Sequence, residues 1–519
     1  MHASITNETG TMTDWERSPH RSAEIRPGDN DARQQPAPGK RREWTGKGLA
    51  SNSVTLLGIV VMGTGTAGPA YSLAASVGIL ASAAGLKAPA MLMISFIPML
   101  MAAAAFYCFA RVDPDCGQAF HWTTRALGPV IGWIQGFWGI AMVLVIGPNI
   151  ANVATAYFYL LLGLDAAAAS NFWLTLGSVV LLMSISTLVA LGIKPSLRMQ
   201  YLLMALQMAG LFIFAAATLI KPLFVRPDGY VSPSLQWLSP SDMKLSALVD
   251  GILIGVFFYT GWDVASSLSE ESREPLRLPA VGTILSTVVL VLVFVLCVAA
   301  AQSYHGPEFL INNMDDALAA VSADALGKPW DRIVLLTVFS ATAAVAFSMM
   351  VYVSRWALSM ASAGALPAVF GKIDASYRTP FKGTFILGGS VTAIRIAFAC
   401  LDKNLVSDLV PSLALLSALG YAVAAFACVA YFRRQLMRSV RNFFLAGVFP
   451  ALGGMILLGV YLMSMIKYRH PANSFSGGWL GVGSIFWLGA GAALLGVILA
   501  PVVRPWKRKL PAGAARGDA

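Results

Sequence analysis

The sequence predicts an all-α membrane protein with twelve transmembrane helices. Of its 519 residues, 57% are apolar and 12% are charged, whereas soluble domains carry about 25% charged residues. A helix needs roughly 20 mainly apolar residues to cross a bilayer, and such stretches recur along most of the chain. We place the spans at residues 51–77, 88–110, 130–160, 171–192, 198–220, 247–270, 279–302, 332–361, 383–401, 406–432, 442–466 and 479–502.

The basic residues indicate the orientation of these spans. With the N-terminus in the cytoplasm, twelve spans return the C-terminus to the same side. The short inner loops and the adjoining ends of the spans carry 14 Lys and Arg, against 9 on the outer side. Such an excess is typical of cytoplasmic loops. Membrane topology therefore explains the net charge of +11, and we expect no nucleic-acid partner, because no soluble basic domain is present.

The N-terminal residues 1–43 are polar and contain no apolar core of a signal peptide. We expect them to form a disordered cytoplasmic tail, and the features together are compatible with a bacterial inner membrane. The five cysteines are scattered and odd in number, which does not indicate a disulfide framework.

Two spans combine apolar length with glycine and polar residues. Residues 63–69 read GTGTAGP in the first span, and residues 257–263 read FFYTGWD in the sixth. They lie five spans apart, and each begins a run of five spans. Because five is an odd number, the second run crosses the membrane in the opposite orientation to the first. Paired interruptions of this kind indicate an inverted-repeat transporter with its binding site near the bilayer midplane.

An unwound helix in a membrane needs a reason, because an unsatisfied backbone amide in lipid costs several kcal/mol. Unwinding exposes N–H groups at the start of one half-helix and carbonyl groups at the end of the other, and these ends favour anions and cations respectively. A zwitterionic amino acid carries one charge of each sign. The alternative is that the glycines only allow close helix packing.

The sixth-span motif continues as VASSLSEESREPLRLPAV, and the eighth span ends in SRWALSMASAGALPAVFGKIDASYRTP. Both segments resemble the amino acid–polyamine–organocation (APC) superfamily, and the resemblance covers about residues 50–435. The matching positions are Phe257, Phe258, Tyr259, Gly261, Trp262, Asp263, Glu270, Glu271, Pro275, Arg277, Pro279, Ser354, Arg355, Met360, Ala361, Gly364, Leu366, Pro367, Tyr377, Arg378, Thr379 and Pro380.

The resemblance implies a leucine-transporter-like fold of two inverted five-helix repeats plus two C-terminal helices, with helices 1 and 6 broken at the midplane. The transport core would occupy residues 44–435, helices 11 and 12 residues 436–503, and a cytoplasmic tail residues 504–519. The implied function is an ion-coupled, secondary-active permease that imports amino acids across the plasma membrane by alternating access. An amino acid or amine exchanger without ion coupling is the alternative.

The resemblance also implies a substrate site between the two broken helices. Backbone N–H groups of residues 63–65 would bind the carboxylate, and carbonyl groups near Phe257, Phe258 and Thr260 would bind the amino group. Either Phe257 or Phe258 would close the site from outside. The predicted substrate-binding residues are Gly63, Thr64, Gly65, Thr66, Phe257, Phe258, Tyr259, Thr260, Gly261 and Asp263.

Two polar residues leave alternatives open. Asp263 stands where an N-cap of the inner half-helix is expected, but a carboxylate at this depth also suits a substrate or proton role. Gln207 occupies the position where proton-coupled relatives, by the resemblance, carry a lysine. A neutral amide cannot titrate, so Gln207 indicates either a changed coupling mechanism or a simple interhelical hydrogen bond.

Further candidates line the predicted cavity. Asn149 and Asn152 in the third span either face the cavity or pack between helices. Ser340, Thr342 and Ser348 in the eighth span are candidate sodium ligands, although hydroxyl groups in membrane helices commonly bond to their own backbone.

Charged residues at the inner end suggest a gate. We expect Glu270 and Glu271 to pair with Arg273, Arg355 or other inner-loop bases as an intracellular latch. Arg395, inside the ninth span, is expected to extend toward a lipid headgroup.

An enzyme is not indicated. All five histidines fall in tails or loops, and the sequence contains no H-E-x-x-H motif and no phosphate-binding G-x-x-x-x-G-K-[ST] loop. We therefore expect no catalytic residues, no bound metal and no cofactor other than a coupling proton or sodium ion.

Overall fold

The computed structural model describes residues 46–500 except for residues 242, 244, 315 and 401–407. Both predicted tails lie outside the described residues. Strands within the described part are confined to one short antiparallel hairpin near the C-terminal end. The rest of the regular structure there is helical, as the sequence predicts.

Seventeen helices position the features discussed below. The hairpin pairs Gly478–Trp479 with Val482–Gly483, and a π-helical segment, Phe443–Val448, precedes the sixteenth helix. The helices are α1 (Leu56–Ala67), α2 (Pro69–Ala84), α3 (Ala88–Val112), α4 (Gln118–Leu127), α5 (Pro129–Leu161), α6 (Asp165–Ala169), α7 (Asn171–Ala190), α8 (Ile193–Ile220), α9 (Leu245–Tyr259), α10 (Val264–Ser267), α11 (Leu278–Asn312), α12 (Ala317–Leu326), α13 (Arg332–Ser362), α14 (Phe381–Phe398), α15 (Leu409–Phe432), α16 (Phe449–Tyr468) and α17 (Ser484–Leu499).

The predicted class of an all-α membrane protein is confirmed. Within the described chain, ten helical stretches are long and apolar enough to cross a bilayer. The first, Leu56–Val112, has 57 residues and contains α1, α2 and α3, which correspond to two predicted spans. The predicted twelfth span, α17, has 16 residues, fewer than the roughly 20 of a full span. The number twelve therefore stays a prediction.

The first span is interrupted at Gly68 rather than at residues 63–65. α1 continues through the Gly-Thr-Gly sequence to Ala67, Gly68 takes a left-handed conformation with φ +55°, and Pro69 begins α2. Glycine readily ends a helix in this conformation, and proline suits the first position of the next one because it has no N–H group to leave unpaired. These two adjacent residues place the interruption later than the resemblance implied.

The sixth span is interrupted inside its FFYTGWD motif. α9 ends at Tyr259 and α10 begins at Val264, and between them Gly261 has φ +115°. α10 is a single turn, followed by a 3₁₀ turn over Ser269–Glu271.

Corresponding helices of the two predicted repeats pack against each other. α3 packs on α11, α5 on α13 and α7 on α14. Each pair joins a predicted span of the first five to the span five positions later, which is the pairing expected of repeats related by a two-fold axis. α1 contacts α8, α11 and α13, so the first interrupted span lies inside this arrangement.

At the end of the molecule opposite α2 and α9, the segments that flank the interrupted spans pair with each other. Val54 forms a parallel β-bridge with Ser272. The N–H groups of Ser53 and Val54 donate to Glu271 O at 2.8 and 2.9 Å, and Arg273 N donates to Val54 O at 3.0 Å. These bonds tie the entry to α1 to the exit from α10.

Arg395 does not extend to a headgroup, so that prediction is wrong. The residue is 4% exposed; its Nη2 donates to Asn152 Oδ1 at 2.6 Å and its Nε to Ser178 Oγ at 3.4 Å. A buried guanidinium needs acceptors because an uncompensated charge in the interior is costly. The hydrogen bonds of Arg395 to Asn152 and Ser178 therefore connect α14 to α5 and α7.

We expect Asn152→Leu to destabilise the protein, because it leaves the Arg395 guanidinium without its shortest hydrogen bond. The expected loss is about 1.5–3 kcal/mol, seen as a lower unfolding temperature of the purified protein in detergent. Ser184→Ala is the control, because Ser184 is exposed on α7 and bonds only its own helix. Equal unfolding temperatures for the two variants would contradict the assignment.

Candidate functional site

The two interruptions touch each other. A Cβ atom added to Gly261 would lie 2.9 Å from the carbonyl carbon and Cγ2 of Thr66, and 3.0 Å from the nitrogen of Ala67. The φ of +115° at Gly261 is also one that residues with a side chain rarely adopt. Only glycine meets both conditions, so the end of α1 and the unwound segment after α9 are in direct backbone contact.

The start of α2 offers backbone donors. The first N–H groups of a helix have no intrahelical partner, and Pro69 has no N–H group. The first intrahelical bond joins Ser72 N to Gly68 O at 2.9 Å. The N–H groups of Ala70 and Tyr71 therefore have no partner within α2, and they lie at the positive end of its dipole.

The end of α9 offers backbone acceptors. Thr260 N donates to Phe257 O at 3.2 Å, and Thr260 Oγ1 donates to Val256 O at 2.7 Å. The last carbonyl groups of a helix have no intrahelical partner, so those of Phe258 and Tyr259 remain available. They lie at the negative end of the α9 dipole.

Asp263 does not cap α10 with its side chain, which corrects one of the two expectations. It occupies the N-cap position, but its carboxylate makes no capping bond. Instead, Asp263 Oδ1 accepts a hydrogen bond from Tyr421 OH at 2.7 Å, and Gly261 N donates to the same hydroxyl oxygen at 3.3 Å. The Trp262 ring stacks on Tyr421 with centroids 5.1 Å apart. One tyrosine of α15 thus contacts all three residues of the Gly-Trp-Asp motif.

The three aromatic residues at the end of α9 point to different neighbours. Phe257 meets Tyr71 of α2 edge to face, with ring centroids 6.1 Å apart. Phe258 packs on Phe294 of α11 at 4.9 Å, and Tyr259 OH donates to a carbonyl of α3 at 2.9 Å. Of the two phenylalanines predicted as a lid, Phe257 is the one directed at the start of α2.

The glycines of α1 allow close packing. A Cβ atom on Gly63 would lie 2.6 Å from Ser286 Oγ and 3.0 Å from Trp262 O, and a Cβ atom on Gly65 would collide with Nε2 of Gln200. Both glycines lie inside α1, where backbone N–H groups bond to carbonyl groups of the preceding turn. This is the packing alternative considered from the sequence.

Several buried polar atoms around the interruptions lack a hydrogen-bond partner among the described residues. They are Thr64 Oγ1, Tyr71 OH, Trp262 Nε1 and both amide atoms of Gln200. Buried polar groups are normally bonded to protein, to ordered water or to a ligand. The region therefore has unused hydrogen-bonding capacity for a polar guest.

The predicted coupling and cavity residues mostly bond within their own helices. Gln207 is fully buried and its Nε2 lies 3.2 Å from a methionine sulfur of α8. The hydroxyl groups of Ser340, Thr342 and Ser348 all donate to carbonyl groups of their own helix. Asn149 is half-buried on α5. No sodium site is assembled by these contacts in the described chain.

Two buried acidic residues after α10 bind bases. Arg355 donates to Glu271 through Nε at 3.1 Å and Nη2 at 3.0 Å, and both side chains are fully buried. Lys47 Nζ contacts Glu270 Oε1 at 2.5 Å and Asp115 Oδ2 at 2.7 Å. We call Lys47, Asp115, Glu270, Glu271 and Arg355 the inner ion cluster; Lys47 and Asp115 were not predicted from the sequence.

His121 of α4 extends the inner ion cluster. Its Nε2 lies 3.0 Å from Asp113 Oδ2 and its Nδ1 lies 3.2 Å from Asp115 Oδ2. Both ring nitrogens can donate only when the imidazole is protonated. Burial by itself lowers the pKa of His121, but the two carboxylates outweigh it and raise this pKa above its ordinary value. For the Asp115 carboxyl, burial by itself raises the pKa. The neighbouring His121 and Lys47 outweigh this effect, so the pKa of Asp115 lies below its ordinary value.

Comparison with known proteins agrees with this architecture. The chain is 26% identical over 367 residues to the methylthioribose transporter of Bacillus subtilis (strain 168), covering 66% of this chain and 72% of that protein. It is 24% identical over 381 residues to the branched-chain amino acid permease BcaP of the same organism, covering 68% and 75%. It is 23% identical over 350 residues to the low-affinity putrescine importer PlaP of Escherichia coli (strain K12), covering 67% and 75%.

The sequence model of a family described as "Amino acid permease" matches residues 52–465. The match includes both interruptions, Tyr421 and the acidic residues after α10. The APC resemblance stated from the sixth- and eighth-span motifs is therefore confirmed. The protein belongs to the amino acid permease family and is a membrane transporter rather than an enzyme.

Proposed function

We propose that the protein imports amino acids by alternating access as a secondary-active, ion-coupled transporter. The proposal rests on the pair of helix ends, because the first N–H groups of α2 and the last carbonyl groups of α9 have no partner within their own helix. Contact between Gly261 and Thr66 brings these ends together. The carboxylate and ammonium groups of an α-amino acid match the two ends in charge.

In this proposal the carboxylate accepts from the N–H groups of Ala70 and Tyr71, which follow Gly65 by five and six residues. The ammonium group donates to the carbonyl groups of Phe258 and Tyr259. Asp263, held by Tyr421, adds negative potential on the ammonium side. The unpartnered Tyr71 hydroxyl is a further donor for the carboxylate.

The names of the relatives support a small polar substrate. Those of two of the three proteins cited above describe substrates that carry amino groups, a branched-chain amino acid and putrescine. The third names methylthioribose, so substrates differ among proteins at this level of identity. We propose an α-amino acid for this chain because the helix ends offer partners of both signs.

The surroundings of Gln207 and of the eighth-span hydroxyl groups favour a second candidate function. Gln207 cannot carry a proton, and the eighth-span hydroxyls are occupied by their own helix. An amino acid or amine exchanger without ion coupling therefore remains the second candidate. The excess of basic residues in the predicted inner loops supports cytoplasmic termini, and the proposed location is the plasma membrane, such as a bacterial inner membrane.

The function is tested with the purified protein in liposomes. Amino acids are first screened by thermal shift, and uptake of the best-stabilising one is then measured with and without internal substrate, under proton or sodium gradients. An importer accumulates substrate in empty vesicles when a gradient is applied. Uptake that requires internal substrate and ignores both gradients selects the exchanger. If no amino acid is taken up saturably and the same measurement with polyamines also finds no saturable uptake, both candidates are contradicted.

We expect Gly65→Ala to destabilise the protein and reduce uptake, because the added methyl group collides with Gln200. Overpacking costs about 1–3 kcal/mol, and we expect the low end of this range because the obstructing atom is the end of the flexible Gln200 side chain. Adding Gln200→Ala removes the obstacle and is expected to restore both the unfolding temperature and uptake. Restored stability without restored uptake would show instead that Gly65 contacts the substrate.

We expect Phe257→Ala to raise the apparent KM for uptake about three- to tenfold, because it removes the aromatic contact that covers the start of α2. Phe258→Ala is the matched control, since Phe258 faces Phe294 on α11. It should lower stability without a comparable change in KM. A larger KM effect from Phe258→Ala would reverse the assignment of the lid.

We expect His121 to make the closed inner end sensitive to pH. Its pKa is raised by Asp115 and Asp113 against the effect of burial, so its stabilising contribution is complete below the ordinary histidine value of about 6.5 and is lost as pH rises through the raised value. The unfolding temperature of the wild type should therefore exceed that of His121→Gln in mildly acidic buffer, and the difference should shrink in alkaline buffer. His470→Gln, at an exposed outer-loop position, is the control, and a pH-independent difference for His121→Gln would contradict the expectation.

A further inference from the structure

The connection between α15 and α16 carries a concentration of positive charge. Arg433, Arg434, Arg438 and Arg441 fall within nine residues, and the sequence has no Asp or Glu from residue 409 to residue 500. We call residues 433–442 the arginine loop. Neither the loop nor the two helices that it joins, α15 and α16, therefore contributes an acidic residue.

Apolar side chains alternate with these arginines and are also exposed. Met437 is 86% exposed and Val440 is 76% exposed. Phe443 and Phe444, which follow the loop, are 41% and 43% exposed. Exposed apolar and basic side chains in one short segment at the end of a membrane helix are typical of chain that lies in the headgroup region of a bilayer.

Behind the loop lies a small pocket against α3. Tyr107, Gln435, Arg441 and Asn442 are among the residues that line it. Arg441 Nη2 lies 3.3 Å from Tyr107 OH, which fixes one guanidinium at the pocket. The side-chain oxygen of Gln435 is buried and has no hydrogen-bond partner among the described residues. The pocket therefore combines a positioned cation with an unused acceptor.

We propose that the arginine loop binds one anionic phospholipid of the adjacent leaflet. The lipid phosphate pairs with Arg438 and Arg441, because guanidinium groups bind phosphate oxygens in bidentate fashion. A headgroup hydroxyl donates to the Gln435 oxygen, which favours a headgroup such as glycerol over choline. The acyl chains lie along Phe443 and Phe444.

The proposal is tested on the full-length protein in detergent. Dioleoyl phosphatidylglycerol, dioleoyl phosphatidylcholine and inorganic phosphate are each added, and thermal unfolding and lipid adducts in native mass spectra are measured. We expect phosphatidylglycerol to raise the unfolding temperature by several degrees and to give a one-to-one adduct. Equal effects of phosphatidylcholine or of phosphate alone would overturn the proposal.

Substitutions of the arginines test whether the lipid binds at the arginine loop. Arg438→Gln with Arg441→Gln should abolish both the temperature shift and the adduct, whereas Arg438→Lys with Arg441→Lys should retain part of each. The matched control is Lys372→Gln with Arg378→Gln, which removes the same charge from exposed positions of another predicted inner loop. A retained shift in the glutamine pair, or an equal loss in the control, would refute binding at the arginine loop.

Discussion

The hydrocarbon interior of a membrane offers no hydrogen-bond partners, so every unwound peptide group must find one in the protein or in a guest. Both interrupted spans meet this constraint by turning their broken ends toward each other. Gly261 packs on the backbone of Thr66 and Ala67, and Tyr421 bonds to Gly261 and Asp263. Two N–H groups at the start of α2 and two carbonyl groups at the end of α9 have no partner within their own helix, and the charged groups of the proposed substrate match them in sign.

The predicted inner end is held together by buried charges as well as by the backbone bonds between Val54 and the segment after α10. Glu271 and Arg355 form a fully buried ion pair, and Lys47 joins Glu270 to Asp115. Buried pairs add little net stability but are costly to break one side at a time. In the proposed alternating access, moving α10 away from α13 would break the Glu271–Arg355 pair on both sides at once, which favours two distinct states over a graded movement.

Features that depend on short stretches of sequence could be predicted from the sequence. Apolar length gave the helical class, and the two glycine-rich motifs indicated which spans are interrupted. The position of the first interruption was misplaced, because the Gly68 and Pro69 signal follows a more conspicuous Gly-Thr-Gly sequence that the structure uses for packing. Local pattern cannot specify partners remote in the chain. The bond between Tyr421 and Asp263 spans 158 residues, and the contact of Arg395 with Asn152 spans 243.

The most direct measurement is a cryo-EM structure of the protein with the amino acid that stabilises it best. We expect a carboxylate oxygen within about 3 Å of the backbone nitrogen of Ala70 or Tyr71, and the substrate nitrogen at a similar distance from the carbonyl oxygen of Phe258 or Tyr259. Substrate density held away from both helix ends, with α1 and α9 otherwise as described, would contradict it.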